Sequence, residues 1–211
     1  ADRITLGTGT DNASGGAGID TFIETSAGLT SVDTIAGGDG VDILKISDAA
    51  TVIDSDFNNV TSVETFTQGT ADANQTVTLG SLADASGLAT ITGNGSGVDT
   101  VTVGAGFDNA LTVNVATGAD NIDASASAAA ISIAAAAASI TTHDTLKGGT
   151  GASDTITLTA GSDTANLGAS VTGFETVTVA AATTNTIKIT TKNENATSSQ
   201  ALTVNASALT N

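Results

Sequence analysis

Short alternations of apolar and polar residues recur along the chain. TVTLG (76–80), DTVTVG (99–104), ALTVNVA (110–116), DTITLTA (154–160), ETVTVAA (175–181) and NTIKITT (185–191) set Val, Ile, Leu or Ala at every second position, with mostly Thr between. A period of two with β-branched residues is the mark of a strand buried on one face. Each stretch predicts a strand of about five residues, ended by Gly, Asn or Asp turns. The fold class expected is therefore all-β. One segment departs from the alternation. ASASAAAISIAAAAAS (124–139) has the alanine content of a helix, yet Ile131 and Ile133 keep strand spacing. A short Ala-rich helix and a tightly packed strand both fit it.

The turns between strands are not generic. GGAGIDTFI (15–23) and GGDGVDILK (37–45) share the pattern G-G-x-G-x-D-x-U-x, where U is a large apolar residue. Each is preceded by a looser copy: LGTGTDNAS (6–14) keeps Asp11, and GLTSVDTIA (28–36) keeps Asp33. Further copies are NGSGVDTVT (94–102) with Asp99 and VGAGFDNAL (103–111) with Asp108. HDTLK (143–147) then carries Asp144, GGTGASDTIT (148–157) carries Asp154 one place late because of Ser153, and LTAGSDTAN (158–166) carries Asp163. TGADNID (117–123), with Asp120, is a fainter trace. Such self-similarity predicts a stacked array rather than one globular core.

A longer repeat is superposed. Asp33 and Asp144, Gly37 and Gly148, and Glu64 and Glu175 are each 111 positions apart. The order is a nonapeptide pair, a spacer, a strand of the form SVETF or GFETV, then Thr/Val-rich strands. Two modules follow, 1–100 and 101–211, in one continuous elongated solenoid that is expected to be a fragment of a longer protein. Two nonapeptides per coil would make coils of roughly 18 residues, each advancing about 4.8 Å, and a body about 55 Å long.

Charge changes what the turns are for. There are 22 acidic and 5 basic residues, a formal net charge of −17. That balance sets aside nucleic acid and anionic lipid surfaces as partners and opposes compaction unless cations offset it. No apolar run is long enough for a transmembrane helix, and the absence of Cys leaves disulfides out. The nonapeptide answers the charge problem as a calcium turn. Calcium takes six to eight oxygen ligands. Glycines (Gly15, Gly18, Gly37, Gly40, Gly148 and Gly151) allow the sharp bends that aim carbonyls inward. The aspartate supplies a charged ligand, and the apolar residue two places on fills the core. The metal-ligating aspartates expected are Asp20 and Asp42 first, then Asp11, Asp33, Asp99, Asp108, Asp144, Asp154 and Asp163, with several Ca2+ ions per chain. Glu64 and Glu175 read either as strand-end carboxylates accepting backbone N–H groups or as metal ligands. Lys45 and Lys147 read as local partners of carboxylates. His143, the sole histidine, has no partners in sequence for a catalytic triad and reads as a surface or turn residue. No nucleophile–base pair or His-rich zinc motif is visible, so the chain is not read as an enzyme.

Read with their neighbours, GGAGIDTFI and GGDGVDILK resemble the repeats-in-toxin (RTX) family of secreted bacterial calcium-binding repeats. The run LGTGTDNASGGAGIDTF, VDTIAGGDGVDILKIS and VTSVETFTQG is most similar to the repeat region of RTX-type bacterial surface-layer proteins. The resemblance covers most of 1–180. It implies a calcium-loaded right-handed parallel β-solenoid or β-roll, type I secretion, and self-association into a lattice on the bacterial cell surface. Contact with cell-surface polysaccharide would fall to another part of the protein. A calcium-stiffened stalk of a secreted adhesin or biofilm matrix protein, and the RTX tail of a secreted enzyme, are the other readings.

Overall fold

A computed structural model describes residues 1–49, 51–68, 74–93, 95–151, 153–159, 163–180, 187–196 and 201–208. Every strand pair in it is parallel. The longest sheet has ten strands, stacked as Arg3–Thr5, Thr21–Glu24, Ile43–Ile46, Thr65–Gln68, Thr90–Thr92, Leu111–Val115, Ile131–Ala136, Thr155–Thr159, Thr176–Val179 and Thr203–Asn205. A six-stranded sheet lies on another face of the coils: Thr51–Val52, Thr76–Leu79, Thr100–Val103, Asn121–Asp123, Thr145–Lys147 and Val171–Thr172. Asn12–Ala17, Thr34–Asp39 and Val60–Thr61 form a three-stranded sheet in the early coils. Thr164–Asn166 and Lys188–Thr190 pair in the late ones. Because sequential strands of one sheet lie a whole coil apart, the architecture is a parallel β-solenoid.

Alternation in sequence becomes columns in space. In the long sheet the inward positions Phe22, Leu44, Phe66, Ile91, Val113, Ile133, Ile156 and Val177 lie in register, one per coil, all buried. Val52, Val77, Val101, Ile122, Leu146 and Val171 form the matching column of the six-stranded sheet. The core is the contact between these columns, one layer of apolar side chains per coil. The long sheet runs without a break across residues 100 and 101, since Thr90–Thr92 pairs with Leu111–Val115.

One expectation changes and one open alternative is decided. The coil is longer than 18 residues: Asp20 and Asp42 stack at a separation of 22, and later coils of the long sheet vary between 20 and 27. The four residues between nonapeptide pairs belong to the coil. Ten stacked strands at about 4.8 Å then span about 43 Å rather than 55 Å. Secondly, the Ala-rich segment does not form a helix. Ile131–Ala136 is a strand and Ala137–Ser139 a single 3-10 turn. Ile131, Ile133 and Ala135 point inward, in register with Leu111, Val113 and Val115 on one side. Hydrogen bonding to strands on both sides and burial of two isoleucines outweigh alanine's helix propensity. The α-helix among the described residues is Ser81–Ala85. The other predicted strands form; residues 160, 181, 185 and 186 at their ends lie outside the described residues.

Column packing predicts the cost of its loss. Phe66 is fully buried and its ring centroid lies 6.2 Å from that of Phe57. Phe66→Ala should destabilise the chain by about 3–5 kcal/mol. Val204→Ala, at a position 51% exposed, should change stability by less than about 0.5 kcal/mol. Chemical denaturation at fixed calcium measures both.

Candidate metal-binding rows

The acidic residues of the repeats occupy one recurrent place, the position just before a strand. Stacking brings them into rows along the solenoid. Asp20, Asp42 and Glu64 precede successive strands of the long sheet. The Asp20 N–H donates to Asp42 Oδ1 at 2.7 Å, and the Asp42 N–H to Glu64 Oε2 at 2.8 Å. Asp20 Oδ1 accepts the N–H of Asp2 in the coil before. The same sheet resumes the row later, where the Ile131 N–H donates to Asp154 Oδ1 at 2.7 Å and the Asp154 N–H to Glu175 Oε2 at 2.6 Å. Beside the six-stranded sheet, the Asp99 N–H donates to Asp120 Oδ1 at 3.0 Å and the Asp120 N–H to Asp144 Oδ1 at 2.9 Å. The Asp11 N–H donates to Asp33 Oδ1 at 2.9 Å. Each acid thus satisfies a backbone donor that would otherwise be left between coils. Glu64 and Glu175 are strand-end carboxylates accepting backbone N–H groups, at the same step of the 111-residue repeat.

In these contacts one carboxylate oxygen is used, and the surroundings of the second oxygen differ from acid to acid. Asp33 Oδ2 accepts from the Thr30 N–H and hydroxyl at 2.7 and 2.9 Å. Asp144 Oδ2 accepts from the Thr141 N–H and hydroxyl at 2.6 and 3.2 Å. Asp154 Oδ2 accepts from the Gly149 N–H at 2.7 Å. Burial pushes Asp33 upward, but its hydrogen bonds from Asp11 and Thr30 outweigh that and hold it below the usual carboxylate range. Asp20 Oδ2, Asp42 Oδ2 and Asp120 Oδ2 are buried with no partner at all. Asp108 and Asp163 are exposed and join no row among the described residues. The Asp108 N–H instead donates to Asp84 Oδ1 at 2.9 Å. Asn94 and Gly161, parts of two looser repeats, lie outside the described residues.

The two full nonapeptides stack directly on one another. Gly16 and Gly38 have φ of 87° and 111°, and Gly18 and Gly40 have 115° and 144°. A Cβ at Gly38 or Gly40 would overlap the carbonyl of Gly16 or Gly18 in the coil below. A Gly15 Cβ would stand 2.5 Å from Asp20 Oδ2 and 2.7 Å from the Gly37 carbonyl oxygen. At Gly37 it would stand 2.5 Å from Asp42 Oδ2 and overlap the Ser62 carbonyl. Glycine is needed here because oxygen atoms crowd the space a side chain would fill. Gly148 repeats the arrangement in the second module, against the Gly173 carbonyl and with Asp154 Oδ2 at 3.0 Å. The Gly151 Cβ would lie 3.0 Å from the Ala128 carbonyl oxygen. Ser62, the non-glycine residue with positive φ among those described, and Gly173 are themselves 111 apart, with φ of 51° and 78°.

Carboxylate and carbonyl oxygens with no nitrogen or sulfur donor suit a hard divalent cation. The buried, partnerless oxygens of Asp20 and Asp42 fit such an ion. Among the described residues, no three acidic or histidine side chains converge closely enough to hold a metal by themselves. A cation at these turns would therefore draw on backbone carbonyls as well.

Asp120 is set apart by its surroundings. It lines a water-sized cavity inside the coil, together with Gln68, Gly93, Asp99 and Asn114. Burial pushes its carboxyl up to about 6, and the neighbouring Asp99 and Asp144 charges add to the rise. Lys147 lies 2.7 Å from Asp123 and holds that carboxyl below the usual range. His143 is exposed in a turn, its N–H donating to Thr141 Oγ1 at 3.2 Å. Sequence patterns missed Glu24, a buried acid outside every nonapeptide motif. A charged residue at an inward strand position is the signal that marks it.

The Asp120 environment fixes the sign of a pH effect. Its folded value lies above the ordinary 3.8, so the folded chain holds a proton that the unfolded chain releases between these values. That stability is present in full below about pH 3.8 and is lost as pH rises through about 6. In EDTA the melting temperature should be higher near pH 5 than near pH 7.5. Asp120→Asn should flatten the difference.

The chain matches no protein-family model, no curated protein and no solved structure.

Proposed function

We propose that the chain is a calcium-folded structural segment of a secreted bacterial surface-layer protein. The observation that carries the calcium reading is the stacked pair of glycine turns at 15–20 and 37–42. Beneath them two buried carboxylates each keep an oxygen without a partner. Asp20, Asp42 and the carbonyl oxygens of Gly37 and Ser62 would hold the ion. Bound there, calcium supplies positive charge and oxygen coordination in place of the missing partners. The chain's own residues do the rest: glycines let the coils approach, the row amides fix the carboxylates, and the apolar columns hold the coil shape. A net charge of −17 then opposes folding where calcium is scarce, as before export, and is offset where calcium is plentiful.

The likeness of the repeats to those of surface-layer proteins supports self-association into a lattice at the cell surface. The unbroken ten-stranded sheet favours a second reading, a calcium-stiffened stalk of an adhesin or matrix protein. Both readings need the same calcium-rigidified solenoid. Electron microscopy separates them: ordered two-dimensional arrays formed with calcium support the lattice, and single rods support the stalk.

Adding CaCl2 to the EDTA-treated chain should raise β-structure by circular dichroism and raise the melting temperature. Free calcium at 100 times the dissociation constant adds about 2.7 kcal/mol per site. Asp20→Ala and Asp42→Ala should each weaken the response about tenfold or more. An unchanged spectrum and melting temperature across the titration would refute the proposal.

A further inference from the structure

The long sheet has a second inward column, two residues beyond Phe22 and its partners. Its registered members are Glu24, Ile46 and Gln68, and further along Val115, Ala135, Leu158 and Val179. Among these described members Glu24 is the one carboxylate, and it is 3% exposed. Strand geometry puts it where its neighbours are apolar. A buried carboxylate without compensation is costly, so something must stabilise it.

Its hydrogen bonds do not suffice. Glu24 Oε1 accepts the Thr25 N–H at 2.7 Å, whereas Oε2 is buried without a partner. The turn that follows folds back over it, with the Gly28 N–H donating to the Thr25 carbonyl at 3.0 Å and the Leu29 N–H to the same oxygen at 2.9 Å. This sets Gly28 against the carboxylate. A Cβ there would overlap it and lie 3.0 Å from the Gly7 carbonyl oxygen of the coil before. Gly7 in turn donates its N–H to Asp11 Oδ2 at 3.2 Å. Burial pushes the Glu24 carboxyl upward and outweighs the lowering effect of its hydrogen bonds from Thr25, and the charges acting on it, those of Asp11 and Asp33, are negative and add to the rise. The surroundings are thus a carboxylate oxygen lacking a partner, a carbonyl oxygen in a gap that only glycine leaves, and two further acids.

We propose that Glu24 is a ligand of an additional hard divalent cation, of the calcium class, held at the coil edge with the Gly7 carbonyl and the Asp11 carboxylate. It lies outside the glycine turns of 15–20 and 37–42, and the proposal rests on the reading that the chain binds calcium. The site accounts for Gly7, Gly28 and Asp11 in the looser repeats 6–14 and 28–36, although neither repeats the full glycine pattern. The nonapeptide motif then marks only part of the cation sites, and the remainder depends on an acid in the adjoining strand.

Glu24→Gln is the direct test because glutamine copies a neutral carboxylic acid. The EDTA-treated chain and the variant are titrated with CaCl2, followed by calorimetry and a count of bound calcium by native mass spectrometry. Glu24→Gln should bind one calcium fewer while retaining the sites lost in Asp20→Ala and Asp42→Ala. An equal count and an equal calcium midpoint would mean that a proton, rather than a metal, satisfies Glu24, and would overturn the inference alone. No uptake by the unsubstituted chain would overturn the calcium reading and this inference together. A measurement on the unsubstituted chain avoids any folding defect in the variant. With 13C at the carboxyls of its four glutamates, the Glu24 resonance should shift in step with uptake. A Glu24 resonance that stays fixed while calcium binds would also overturn the inference.

Discussion

Everything in this solenoid turns on the contact between an acid's carboxylate and the backbone N–H of the acid one coil before it. That contact ties successive coils together at several of the corners where strands begin, and it forces like charges to stack. Two unit charges about 5 Å apart repel by about 3 kcal/mol at an effective dielectric constant of about 20. The row cannot be left with two ionised, unshared oxygens per carboxylate. Asp33, Asp144 and Asp154 resolve this locally, each taking a nearby threonine or glycine N–H on the second oxygen. Asp20 and Asp42 have no such donor. Their turns are built of glycine, which brings carbonyl oxygens rather than donors toward the carboxylate. The rows thus contain two solutions, donor-satisfied and donor-starved, and the donor-starved one occurs at both full nonapeptides and at Asp120.

The apolar columns and the acidic rows depend on each other through the strand period. An acid just before a strand, an apolar residue two places later and another two after that all face the coil interior. The tight register of Phe22, Leu44 and Phe66 therefore also sets the register of Asp20, Asp42 and Glu64. A slip of one residue would expose the column and break the row together. The 111-residue repeat preserves both sides of this arrangement. Glu64 and Glu175 end their rows by accepting an aspartate N–H. Ser62 and Gly173 take the left-handed backbone that brings their carbonyls against Gly37 and Gly148.

Much of this was legible in the residues. Alternation located most strands, and repeated glycines and aspartates located the coil edges. Two adjacent nonapeptides look like a complete coil, so the repeat by itself suggests a coil that is too short. Only stacking shows that the four residues at 24–27, including Glu24 and its turn, complete it. The Ala-rich segment was ambiguous because alanine suits either helix or a crowded strand, and its neighbours Val113 and Ile156 decide the matter from far along the chain. Motif copies also differ in ways the motif does not state. VGAGFDNAL carries Asp108 in phase, yet the structure turns Phe107 inward and leaves Asp108 exposed. Whether a second carboxylate oxygen finds a donor depends on turn geometry: Thr30 and Thr141, three places before Asp33 and Asp144, supply one, whereas Thr117, three places before Asp120, donates to the Gly95 carbonyl instead. Glu24 carried no motif at all.

Crystals of the chain grown in calcium, with diffraction recorded where calcium scatters anomalously, test the central claim most directly. The account predicts an anomalous peak between the turns at 15–20 and 37–42, within about 2.3–2.6 Å of an oxygen of Asp20 or Asp42. A calcium-saturated crystal with no peak there, and with those oxygens hydrogen-bonded to water or an amide instead, would contradict it.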